Sequence, residues 1–263
     1  SKNDDNSNLF NKNLKFIIDI KKINLDKNNS LNNLKGFFSF NKNTISELNL
    51  ESKLSSQKNI KLTINNNGEE KITTLFSDEA KPLVERYKFI KGFEEGNLDF
   101  YSIKKNSTTN SVLKIDNFKI QEIPVLAKLL TLASLQGIAD LLTGEGIRFT
   151  DFEMKFSNKD KLMTIEEMYA IGPAISILMD GYIESGKLIS LRGTLVPATT
   201  VNRTISSIPL IGNILVGKKV GEGVFGVSFK VKGPSKNLET TVNPIKTLTP
   251  RFITRTLEKI KKN

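Results

Sequence analysis

Alternation of apolar and polar side chains at every second residue recurs along most of the chain and limits its fold more than any other feature. Leu14, Phe16, Ile18 and Ile20 begin the pattern. Three further runs repeat it: Leu34, Gly36, Phe38 and Phe40; Leu48 and Leu50; and Ile60, Leu62 and Ile64. Clusters of Asn, Ser, Lys and Gly separate the runs, which recur every ~12 to 15 residues. This spacing predicts an antiparallel meander with one apolar and one polar face.

The same reasoning predicts strands through the remainder of the chain. They are expected at 96–101, 112–120, 147–156, 162–170, 175–182, 188–196 and 223–232. The last of these places Phe225, Val227, Phe229 and Val231 on one face. We therefore expect a mainly β protein built on a long, curved, open antiparallel sheet that forms a groove.

Four amphipathic helices are expected beside the sheet, at about 78–88, 124–142, 198–206 and 250–261. In the longest, Pro124 suits the first turn and Gly144 suits the exit. That helix either packs on the core or plugs one end of a groove. Residues 1–13 are polar and Asn-rich and predict a ragged start. Residues 14–263 are expected to form one elongated domain. If this domain has two parts, the boundary between them is expected within 77–122.

The residue types that are absent exclude several chemistries. The 263 residues contain no Cys, no His and no Trp. Thiol and Ser-His catalysis are therefore excluded, as is an ordinary zinc site. We expect no catalytic residue, no metal and no cofactor, and the chain is not expected to be an enzyme. Gly221–Gly226 matches the G-x-G-x-x-G pattern, but a strand follows it where a dinucleotide site needs a helix, so a bulge or bend is expected there.

The formal net charge of +11 points to acidic partners, either nucleic acid or an anionic lipid surface. The alternative is that the excess of positive charge reflects only a composition that is rich in Lys, Asn and Ile throughout. Nucleic acid is disfavoured because the Phe residues fall on apolar strand faces. The basic C-terminal helix is either solvated or lies on an anionic membrane through Arg251, Phe252, Arg255 and Lys259. No run of 18 apolar residues occurs, so we expect no segment that spans a bilayer. The sequence starts at Ser1 without an initiator Met or a signal pattern, so we expect a piece of a longer chain with any anchor upstream.

A set of short motifs follows in order from Leu126 onward. They are the apolar helix to Leu142, Gly144–Phe149, Gly172-Pro173, Asp180–Ile183, Val196-Pro197, Asn202, Ile208–Gly212, Gly233-Pro234 and Val242–Pro244. In this order they resemble the C-terminal region of the AsmA-like proteins. The resemblance spans roughly Leu75 to Thr256.

The AsmA-like resemblance implies a fold and a function. Such proteins are periplasmic chains of Gram-negative bacteria, anchored in the inner membrane, with a curved open sheet whose concave face is an apolar trough. Members are implicated in carrying glycerophospholipids between the inner and outer membranes. The resemblance therefore implies a segment of a bridge-like lipid-transfer protein. Its partners would be phospholipid, an anionic membrane surface and envelope proteins, with no nucleic acid.

Alternation selects the residues expected to line the trough. They are Ile175, Ile177, Met179, Ile189, Leu191, Phe225, Val227, Phe229 and Val231. Acyl chains would lie against them while head groups stay in water. The alternative is a non-transporting envelope assembly factor, acting through protein contacts in outer-membrane biogenesis, whose apolar face the helices seal.

Overall fold

Each strand of the protein is hydrogen-bonded to the strand that follows it in sequence. The computed structural model describes residues 13–41, 44–86, 91–197 and 226–245. In this part of the chain, thirteen strands form one antiparallel sheet in the order β1 to β13. The predicted fold class is confirmed: the protein is mainly β, and its sheet is open and consistent with a curved groove.

Most of the strands extend beyond the residues that alternation predicted, and two of them, β5 and β13, were missed. The first seven are β1 Leu14–Asn24, β2 Ser30–Asn41, β3 Thr44–Leu54, β4 Asn59–Asn66, β5 Glu70–Ser77, β6 Lys91–Lys105 and β7 Thr108–Gln121. The remaining six are β8 Ile147–Lys159, β9 Leu162–Ile171, β10 Ile175–Glu184, β11 Leu188–Pro197, β12 Gly226–Gly233 and β13 Glu239–Ile245.

The two ends of the strands differ in how they are connected. At one end, which we call the hairpin rim, short turns join the strands at 67–69, 106–107, 160–161, 185–187 and 234–238. Asn106 and Asp160 adopt positive φ there (54° and 53°), a conformation that Asn and Asp tolerate in tight turns. The described helices all lie in connections at the opposite end, which we call the loop rim.

The pairing register assigns every strand's side chains to one of two faces. Residues directly opposite each other in an antiparallel pair project to the same side. More than one row of such partners crosses the whole sheet, and the one described next is called the central row. Its members are Ile18, Gly36, Leu50, Leu62, Leu75, Phe100, Leu113, Met154, Met168, Met179, Gly193, Phe229 and Val242. All of them are apolar, so the face that carries the central row is called the apolar face, and the opposite one the polar face.

The helices differ from the sequence-based expectation. The helix predicted at 78–88 is a single turn, α1, at Lys81–Val84. The helix predicted at 124–142 is two helices, α2 Pro124–Leu132 and α3 Gln136–Thr143. The helices predicted at 198–206 and 250–261 lie outside the described residues.

A helix-ending motif separates α2 from α3. Ser134 adopts a φ of 56°, and the Leu135 N–H donates to the Leu130 carbonyl at 2.9 Å. This bond and the left-handed residue before it form the Schellman ending that commonly stops a helix. Because of this break, the apolar side chains do not form the single buried row that one continuous helix would have carried. Leu126, Leu129 and Leu130 are buried, whereas Leu132, which a continuous helix would have buried, is 46% exposed.

The buried core lies on the apolar face, between the sheet and the helices. Phe93, Phe118 and Phe149 stack in a column, with ring centroids 5.2 and 5.5 Å apart. All three belong to the same buried cluster as Leu129 and Leu142 of the helices. Asn117 interrupts β7 with a φ of 54°, which resets the alternation so that both Ile115 and Phe118 reach this cluster.

Close packing in the central row makes Gly193 a sensitive position. A Cβ added there would lie 2.3 Å from the Leu178 carbonyl oxygen and 2.6 Å from the Phe229 ring. Because the carbonyl is backbone and cannot move aside, Gly193→Ala is expected to lower the free energy of unfolding by about 2 kcal/mol.

The control is Gly137→Ala, where a Cβ meets nothing within 4 Å and the residue lies in α3. That substitution is expected to be neutral or to stabilise by up to about 1 kcal/mol, since Ala favours a helix. Urea unfolding followed by circular dichroism measures both. Equal effects of the two substitutions would contradict the packing shown here.

Candidate functional site

The register places the residues predicted to line a trough on one common face. Ile177 lies opposite Leu195, which in turn lies opposite Val227. Likewise, Leu191 is opposite Val231. The eight predicted residues in the described part all project to the apolar face: Ile175, Ile177, Met179, Ile189, Leu191, Val227, Phe229 and Val231. Phe225 and the predicted membrane-surface residues Arg251, Phe252, Arg255 and Lys259 lie outside the described residues.

These eight residues differ in how far they are covered. Ile175, Ile177, Val227, Phe229 and Val231 are buried, each with at most 8% of its surface exposed. They form part of the core cluster that includes the apolar side chains of α2 and α3. Residues of this kind support the sheet, and they are not free to contact a ligand in this arrangement. The other three are half-buried: Met179, Ile189 and Leu191.

The helix pair lies across the apolar face. α3 contacts β7 and β8, and α2 contacts β13. From β8 to β13 there are five strand spacings of about 4.8 Å, or about 24 Å. Helices of nine and eight residues, at about 1.5 Å per residue, can together span that distance. The pair therefore covers part of the face over the second half of the sheet.

The central row keeps accessible surface along almost its whole length. Phe229 is buried, at 4% exposed, and every other member is half-buried. Twelve strand spacings give the row a length of about 58 Å. It is therefore the longest apolar surface that the register of the described strands defines.

The apolar face is most exposed at β1 and β2. Phe16 and Ile20 are 38% and 39% exposed. Phe16 stacks on Phe38 at 4.9 Å, and Phe40 meets both rings edge-on at 6.2 and 5.5 Å. The predicted trough residues all lie in the C-terminal half, so these aromatic side chains were missed. The alternation that placed Phe16, Phe38 and Phe40 on one face was the signal that could have found them.

The polar face carries cross-strand ion pairs between directly opposed residues. Glu51 and Lys61 are 2.5 Å apart, Glu70 and Lys105 are 3.2 Å apart, and Arg192 and Asp180 are 3.0 Å apart. Each pair occupies opposite positions of neighbouring strands. Because the pairs are exposed, each contributes little stability, but each forms only in the observed register and so adds a small preference for it.

Glu153 is the most deeply buried charged group of the polar face, at 8% exposed. The Tyr169 hydroxyl donates a hydrogen bond to its Oε2 at 2.9 Å, and Lys114 and Lys155 lie at 3.3 and 3.5 Å. Burial raises the pKa of this carboxyl, but the hydroxyl and the two ammonium groups outweigh burial, and the net pKa is lowered. The charged form therefore stabilises the β7–β8–β9 pairing.

Within the described residues, none of the helices has the length and apolar character needed to cross a membrane. Comparison of the chain with family models, with curated proteins and with solved structures finds no match.

The lowered pKa of Glu153 predicts how stability depends on pH. A carboxyl whose folded pKa lies below its ordinary value of 4.5 stabilises the fold above that value, and this stabilisation is lost as the pH falls through the folded pKa. Glu153→Gln is expected to cost about 1 kcal/mol or more at pH 7. The difference from the wild type should shrink below about pH 4.5.

Urea unfolding between pH 7 and pH 3 measures this difference. Glu47→Gln is the control, because Glu47 is exposed and its substitution removes the same charge. A constant difference between wild type and Glu153→Gln across the whole pH range would show that the charge of Glu153 has no stabilising role.

Proposed function

We propose that this chain is a segment of a bridge-like lipid-transfer protein of the AsmA-like family, and that phospholipid acyl chains bind along the central row. The observation that carries the proposal is the row itself. It is an unbroken line of apolar partners across thirteen strands, half-buried at every member except Phe229. A monomeric soluble protein rarely leaves so extended an apolar surface in contact with water.

The dimensions of the central row favour a lipid over a compact ligand. A row of about 58 Å offers no single enclosed cavity. Apart from Gly36 and Gly193, its members carry aliphatic, Met or Phe side chains, without a polar group to orient a small molecule. Acyl chains need no directed hydrogen bonds. The four Met residues of the sequence are adaptable to mobile chains, and three of them, Met154, Met168 and Met179, are consecutive in the row.

Lipid transfer of this kind would place the protein in the periplasm of a Gram-negative bacterium, between two membranes, as the AsmA-like resemblance implies. The transfer requires no catalytic group, because the lipid is moved and not changed. The open ends of the sheet fit the same proposal. Within the described strands, β1 and β13 each pair on one side, so a longer sheet could continue the row in either direction.

A second candidate, an envelope assembly factor that acts through protein contacts, is favoured by one observation. The apolar face beside α2 and α3 is closed: Ile175 and Leu195 are fully buried, and so is Leu142 of α3, which belongs to the same cluster. If the whole face were closed in this way, the protein would present its polar surfaces to partners. The two candidates therefore differ in whether lipid reaches the central row.

Site-specific photocrosslinking to lipid separates these candidates, with matched neighbours as controls. Ile18 lies in the central row, whereas Ile17 projects to the polar face and is 83% exposed. Met179 and Leu178 form a second pair, nine strands away. A photoreactive residue at Ile18 or Met179 is expected to crosslink phospholipid from vesicles at least several-fold more than one at Ile17 or Leu178.

Simple exposure would give the opposite order at the first pair, since Ile17 is more exposed than Ile18. Crosslinking at Ile17 equal to or above that at Ile18 would therefore contradict the proposal. Crosslinking at Ile18 without crosslinking at Met179 would limit lipid to the N-terminal strands and would favour a face closed by the helices.

A further inference from the structure

Two lysines lie side by side on the apolar face. Lys71 of β5 is directly opposite Lys104 of β6, next to the hairpin rim. From β3 to β13, the only other charged residue of the described strands that the pairing places on this face is Glu95, opposite Phe118, and its carboxylate pairs with Arg148 at 2.8 Å. Directly opposed side chains have Cβ atoms about 5 Å apart, and like charges in such positions destabilise a sheet.

The charge of this pair is not balanced within the described part of the chain. Neither Lys71 nor Lys104 forms an ion pair or a side-chain hydrogen bond there. On the polar face, Arg192 also lies opposite a cation, Lys230, but Asp180 pairs with Arg192 at 3.0 Å. The repulsion between Lys71 and Lys104 therefore has no described counterion.

The surroundings of the two lysines are polar at the rim and apolar further in. Asn66, Lys71, Lys104, Thr109 and Asn158 form one row of opposed partners from β4 to β8. The next row, about 7 Å further from the rim, contains the hydroxyl side chains of Thr73, Ser102 and Ser111. The row after that is the central row, with Leu75, Phe100 and Leu113.

From the rim inward, the three rows follow the same order as the parts of a phospholipid. A charged group comes first, oxygen-bearing groups come next, and hydrocarbon comes last. We propose that Lys71 and Lys104 bind the phosphate of an anionic lipid head group whose acyl chains lie on the central row. Two ammonium groups provide six N–H donors, and a bound phosphate removes their mutual repulsion. This proposal rests on the proposed function and adds to it a preference for anionic lipids.

The test is a competition between two lipids, read by native mass spectrometry of the full chain. The chain is incubated with vesicles of equal parts phosphatidylglycerol and phosphatidylcholine, and the ratio of the two bound lipids is measured. Each lysine near an anionic head group is expected to favour phosphatidylglycerol by about fivefold. The double substitution Lys71→Gln and Lys104→Gln is expected to bring the ratio close to one and to leave the total lipid bound unchanged.

The control removes two charges from the polar face. Lys230→Gln with Lys232→Gln changes two exposed lysines of β12 and is expected to keep the wild-type ratio. An unchanged ratio in the Lys71 and Lys104 variant would overturn the proposal. An equal loss of preference in both variants would also overturn it, since net charge alone would then account for the preference.

A second arm distinguishes a lipid head group from free phosphate. If the wild type binds no lipid at all, the proposed function fails, and inorganic phosphate becomes the probe. Thermal unfolding is then measured with and without phosphate, at constant ionic strength. Stabilisation of the wild type but not of the Lys71 and Lys104 variant would assign the site to free phosphate, whereas equal stabilisation of both would exclude a phosphate site at these lysines.

Discussion

The cross-strand register of the meander determines which side chains share a face of the sheet. Every strand pairs with its neighbours in sequence order, so one apolar position in each strand lies directly opposite an apolar position in the next strand. Thirteen such positions form the central row. A shift by one residue in any pair would move that strand's apolar side chains to the polar face. The cross-strand ion pairs of the polar face, such as Glu51–Lys61 and Arg192–Asp180, oppose such a shift, since they form in one register.

An apolar row of this length needs either a cover or an apolar partner. The α2–α3 pair supplies a partial cover, and the side chains beside it form the core of the protein. The central row itself stays half-buried along most of its length. The same sheet therefore combines a closed core, which gives stability, with a long accessible surface, which is available for binding. The core and the accessible surface meet at Gly193 and Phe229. The buried Phe229 ring fills the space above Gly193, which has no side chain.

The sequence predicted those features that depend on local alternation. The faces of β1 to β4 and of β10 to β12 follow from apolar residues at every second position. β5 was missed because Ile72, Thr73, Thr74, Leu75 and Phe76 do not alternate, and β13 because Pro244 interrupts a polar run. The break at Ser134 was also missed, since a left-handed serine has no signal in the sequence. Burial of Ile177, in the cluster that also holds residues of the helices, depends on tertiary packing. The Lys71–Lys104 pair depends on the register of strands joined by a long connection.

Whether the central row is a lipid-binding surface is tested most simply by the lipid content of the folded chain. Native mass spectrometry after incubation with phospholipid vesicles counts the intact lipids that remain bound. We expect bound phospholipid on the wild type and its loss when Leu62 and Leu113 of the central row are both replaced by Asp, with the β-sheet content retained. A lipid-free wild type, or a folded double variant that binds as much lipid as the wild type, would show that lipid does not bind along the central row.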